Sequence, residues 1–73
     1  MIQDASVAKK ISDVMIEILD RLDDSAAMVM ESSSSEEFKV YRRAVGAAMG
    51  EIVLEILNPL YSMHPELKPP EIG

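Results

Sequence analysis

Between Ala44 and Leu57 the chain carries only two charged side chains, Glu51 and Glu55, and no proline. Its apolar residues fall on two sides at helical spacing. Phe38, Tyr41, Val45, Ala48, Met49, Ile52 and Ile56 form one stripe, while Val40, Ala47 and Leu54, flanked by Gly50 and Leu57, repeat every seven residues on the far side. A helix that is apolar nearly all round must be covered nearly all round.

The rest of the chain offers little to cover it with. Seventy-three residues can bury only about 60% of the surface that the unfolded form exposes, so a core of this size needs reinforcement. Cysteine is absent, which excludes disulfides, cysteine-ligated zinc or iron–sulfur sites and thiol catalysis. Reinforcement by a protein partner is what remains. With 48% hydrophobic and 27% charged residues, the composition is that of a folded domain.

The first half supplies one amphipathic helix. Ala8, Ile11, Met15, Ile18, Leu22, Ser25 and Val29 alternate at spacings of three and four. Val7, Val14, Leu19 and Ala26 widen the stripe to about 160°. Lys9, Lys10, Asp13, Glu17, Asp20, Asp23 and Asp24 take the other side. The run Ser32–Ser35 then interrupts the pattern, because serine hydroxyls compete for backbone hydrogen bonds. Ser34 followed by Glu37 fits a capping box, with Ser33 and Glu36 as the alternative register. Pro59 disfavours the helical conformation at Asn58 and cannot continue the ladder.

These signals predict a single all-α domain over residues 1–73: helix one about 4–31, turn 32–35, helix two about 36–57 and tail 58–73. In that tail Asn58 and Pro59 can start one further turn before Pro65. The remainder, with Pro65, Pro69 and Pro70, reads as an extended strap that Leu67 and Ile72 can dock. No alternating strand pattern with hairpin-turn residues occurs.

Helix one can cover one side of helix two, and a second copy of the chain is the simplest cover for the other. The expected assembly is an antiparallel hairpin that pairs into a homodimeric four-helix bundle. Its contact residues would be Val40, Gly46, Ala47, Gly50, Val53, Leu54 and Leu57. A helix-interior glycine costs about 1 kcal/mol relative to alanine, so Gly46 and Gly50 call for a close approach. Either the second copy or a large side chain of helix one within the hairpin fits that requirement.

Formal charge is −6, and all of the excess lies in residues 1–37. Acidity of this kind argues against nucleic acid and against anionic membrane surfaces. The fourteen residues from Ala44 to Leu57 are too few, and too interrupted by charge, to span a bilayer. The amino terminus lacks the pattern of a signal peptide, and a cytoplasmic address is expected. Antiparallel pairing brings Lys39, Arg42 and Arg43 to the level of Asp23 and Asp24, which favours that orientation.

Chemistry-bearing clusters are sparse. Asp20, Asp23 and Asp24 lack the alternating oxygens and central glycine of a calcium loop and read as a solvated face. His64, the one histidine, has neither the Glu-x-x-His nor the His-Glu-x-x-His context of a metal helix. Ser25 has no base near it in sequence. Glu51 and Glu55 become a candidate pair only if assembly buries them. No catalytic residue, cofactor or metal is expected. Met28 and Met30, outside the central stripe, are candidate contacts for another protein. The expected role is a non-enzymatic, self-associating protein that binds another protein. The alternatives are a small subunit or regulator of a larger complex, and a metal-binding or catalytic bundle of buried carboxylates.

Overall fold

Helix α1, Ala5–Ser32, begins where the Asp4 carboxylate accepts hydrogen bonds from the backbone N–H groups of Ser6 and Val7, at 2.8 and 3.1 Å. That bond satisfies two of the donors left free at a helix start. The chain reverses over Ser33 and Ser34, and α2 runs over Ser35–Ile52. Ser34 caps it in the expected register: its hydroxyl accepts from the Glu37 N–H, and the Glu37 carboxylate accepts from the Ser34 N–H. This computed structural model describes residues 1–69, so Pro70 and Ile72 of the proposed strap lie outside the described residues.

Helix two does not stop at Leu57 as the sequence pattern predicts. Val53–Leu57 forms a π-helical turn, and α3, Asn58–Met63, continues from it. Pro59 explains the wider turn. In an α-helix its ring would press on the carbonyl four residues back, and it has no N–H to donate. Closing the preceding turn with a bond from the Asn58 N–H to the Val53 carbonyl inserts one extra residue and opens the crowded spot. Asn58 stays helical at φ −61°, ψ −47°, despite preceding a proline.

One extra residue advances the inward stripe by one position. Leu57, Leu60, Tyr61 and His64 face the core where an unbroken helix would have turned in Ile56. Leu57, expected on the outer face, is therefore a core residue at 1% exposure, and Val53 packs half-buried against the same cluster. The helix finally ends at His64, which leaves helical geometry ahead of Pro65. The first part of the strap is not extended: Pro65–Leu67 makes a 3-10 turn, and Leu67 packs on the core.

The described residues are helical or irregular, with no strand among them. Two long helices side by side give a rod of 45 × 18 × 16 Å with a radius of gyration of 14.5 Å. A compact chain of this length would have a radius near 11 Å. The core is correspondingly thin. Ala8, Leu57, Leu60 and Tyr61 form its buried cluster, with Ile2, Ile11, Met15, Leu19, Ile52, Val53 and Leu67 packed around it. Val45 is the one further buried apolar residue among those described.

Candidate interaction surface

Two Ser–Tyr hydrogen bonds clamp the helices together. Near the end where α3 meets the amino terminus, Ser12 Oγ and Tyr61 OH lie 2.6 Å apart, both buried. Further toward the turn, Ser25 Oγ donates to the Leu22 carbonyl at 2.7 Å and lies 2.8 Å from Tyr41 OH, half-buried. His64 fastens the amino terminus: its Nε2 lies 2.6 Å from the Ile2 carbonyl, so that nitrogen carries the proton and donates. Its Nδ1 faces the Glu66 carboxylate at 3.6 Å. Each of these groups has a structural partner. Ser12 and Tyr61 were not singled out from sequence, since a serine among apolar neighbours carries no sign of a hydroxyl partner 49 positions away.

Among the described residues no three His, Asp or Glu side chains converge on a point where a metal ion could sit. Asp20, Asp23 and Asp24 are exposed along α1, and Glu51 and Glu55 are exposed on the second long helix. Lys39, Arg42 and Arg43 are exposed as well. Among the described residues the one Lys or Arg ion pair within 4.0 Å is Lys9–Asp13, so Asp23 and Asp24 do not close on the cations of α2. Charges of the two sets act on one another only through solvent, where such attraction is weak.

The feature that remains is an uncovered apolar face. Val40 is 72% exposed and Leu54 64% exposed, with Ala47 exposed between them. An added Cβ at Gly46 or Gly50 would meet no heavy atom within 4 Å. Neither glycine is thus there to admit a side chain of α1, and the intrahairpin explanation for them fails. Met28 and Met30 near the turn are also exposed. Beside them a shallow, mainly apolar depression of about 610 Å³ is lined by Val29, Val40, Tyr41 and Ala44, with Glu36 and Glu37 at its edge.

Total accessible surface is 5249 Å². A compact folded chain of this mass would expose about 4,500 Å². The elongated rod thus exposes roughly 750 Å² more than a compact chain would.

Continuation through Pro59 also changes the membrane argument. Ser35–Met63 is one helical run of 29 residues, and its most apolar 18-residue stretch has a mean hydropathy of 1.2 with 22% of it buried. By length and composition alone it could cross a bilayer, so the objection from shortness no longer holds. No family model, curated protein or solved structure matches the chain.

Proposed function

We propose that this chain is a non-enzymatic, cytoplasmic helical protein that self-associates, most simply as a homodimeric four-helix bundle, and binds another protein in that form. The observation that carries the reading is the outer face of α2 and the π-turn, with Val40 and Leu54 among the most exposed large apolar side chains. Patches of this kind mark contact sites. Gly46 and Gly50 add support, because each weakens the helix by about 1 kcal/mol and neither is crowded within the hairpin. The revised contact set is Val40, Gly46, Ala47, Gly50 and Leu54. Leu57 leaves it for the core, and Val53 is shared with the core edge.

Sedimentation velocity at micromolar concentration tests the reading, run beside flotation with neutral and anionic lipid vesicles. The expected result is a species of twice the chain mass that does not float with vesicles. Leu54→Lys should dissociate it and lower helicity. A stably folded monomer, or a monomer that binds vesicles, would overturn the proposal.

A second reading, a subunit or regulator of a larger complex, is favoured by Met28 and Met30, exposed near the turn and outside the Val40–Leu54 line, and by the depression beside Tyr41, which Val40 also lines. Co-purification with one unrelated chain and weak self-association would select it.

A further inference from the structure

We infer that a basic amphipathic helix of another protein docks along one side of the hairpin, in the groove between α1 and α2. This rests on the partner-binding part of the role proposed above and names the chemistry of that partner. Two depressions open on this side, one on each flank of the Ser25–Tyr41 bond. The first, of about 610 Å³, lies against Val29, Tyr41 and Ala44, and the second, of about 530 Å³, against Ile18, Leu22 and Met28. At 100° per residue Val7 and Val14 fall on the same side of α1 as Ile18, and they are 45% and 46% exposed. Val7 and Met28 stand about 32 Å apart along the axis, a length that a helix of roughly 20 residues matches.

Charge selects which helix fits. On α2 this side carries Glu37, Ala44 and Glu51, spaced by seven, with Ala48 and Glu55 in the row beside them. Glu36 adds a carboxylate at the edge of the first depression. Lys39, Arg42 and Arg43 all stand about 100° or more around the helix from Ala44. The α1 wall of the second depression offers one cation, Arg21, with Asp24 beside it. Glu36, Glu51, Glu55 and Arg21 are exposed, and none makes an ion pair within 4.0 Å among the described residues. The result is an apolar groove with excess negative charge along its α2 wall. A helix with an apolar stripe, and with Lys or Arg along the edge that meets α2, complements both features. The same side of a second copy would bring a like excess of carboxylates, so charge opposes that occupant. Self-association keeps the Val40–Leu54 line, which shares Val40 with this groove.

Fluorescence anisotropy tests the inference on the full chain with three labelled peptides of about 20 residues. One arranges Leu and Lys in amphipathic helical order, one keeps that order with Glu in place of Lys, and one scrambles the Leu–Lys composition so that no apolar face forms. The ordered Leu–Lys peptide should bind at least about tenfold more tightly than either of the others, and less tightly as salt is raised. Glu55→Lys should weaken it about tenfold, and the near-isosteric Glu51→Gln should weaken it in the same direction. Asp20→Lys makes the same change of net charge as Glu55→Lys on the opposite side of α1, where the residue is exposed, and should alter binding by less than about twofold. Circular dichroism checks that each variant keeps its helicity.

Equal binding of the Glu peptide would overturn the charge argument. A scrambled peptide that binds as well as the ordered one, or equal losses from Asp20→Lys and Glu55→Lys, would mean diffuse attraction without a groove and would overturn the site. Sedimentation of the unlabelled chain reads self-association separately, so any of these results leaves a dimer standing. A monomeric chain that still prefers the ordered Leu–Lys peptide would remove self-association and keep the groove.

Discussion

Ser12–Tyr61 and Ser25–Tyr41 are the same hydrogen bond in two settings. The first joins buried hydroxyls beside Leu57 and Leu60, where neither has been given another partner. The second is half-buried, and its serine also donates to the Leu22 carbonyl. A hydroxyl without a partner is costly only where water cannot replace that partner. The difference divides the rod into two parts. One end is dry and interlocked by α3, the 3-10 turn and the amino terminus; the turn end is held by a cap and a half-wet clamp and leaves Met28, Met30 and Val40 exposed.

The sharpest way to break this contrast is to hollow the dry end. Leu60→Ala removes a side chain with no exposure and should lower unfolding free energy by about 2–5 kcal/mol. Met28→Ala, at a turn-end side chain that is 66% exposed, should change it by less than about 0.5 kcal/mol. Urea denaturation followed by circular dichroism reads both, and equal losses would erase the distinction.

Next in size are the clamps. Tyr61→Phe strands the buried Ser12 hydroxyl and should cost about 1–3 kcal/mol. Tyr41→Phe, whose serine keeps the Leu22 carbonyl, should cost about 0.5–1 kcal/mol. The order of their denaturation midpoints is the quantity to check. Ser34→Ala, which removes the α2 cap, should cost about 1 kcal/mol and raise amide exchange first around Glu36 and Glu37. Smallest is Lys9→Ala, which breaks a pair whose side chains are 64% and 63% exposed. Its effect should stay within about 0.5 kcal/mol and vanish in high salt.

The turn end was the legible one. Ser34, Glu37 and the break in apolar spacing fix the position of α2's start through contacts no more than four residues apart, and the structure has the same cap. Ser25 bonding back to the preceding turn was likewise a local pattern. At the dry end, Pro59 reads as a stop because the penalties for proline are local, whereas its accommodation depends on packing Leu57, Leu60 and Tyr61 against α1. Tertiary burial outweighed the local signal.

The stripe of α1 was legible in period but not in its centre. Val7 and Val14 are 45% and 46% exposed, while Ser12 is buried. A period defines which residues share a side, and only the partner helix decides where that side is centred.

Of the outer face, the Val40–Leu54 line was readable because it ends as the π-turn begins, before the phase has shifted, and the assignment of Leu57 failed because it stands at the far end of that turn. The numbering of Asp23, Asp24, Lys39, Arg42 and Arg43 puts them at one level of a hairpin, yet among the described residues no ion pair within 4.0 Å connects them. Sequence separation gives height along a hairpin, not the direction in which a long side chain reaches.

The π-turn finally makes Val53–Leu57 the one stretch of the long helix that can lose a residue without losing its phase. Deleting one residue there lets the wide turn close to an ordinary α turn, which keeps Leu60, Tyr61 and His64 turned toward Ala8, Ser12 and Ile2 and returns the Pro59 ring to the crowded carbonyl. The same deletion between Ala44 and Gly50 has no wide turn to absorb it and rotates everything beyond by about 100°.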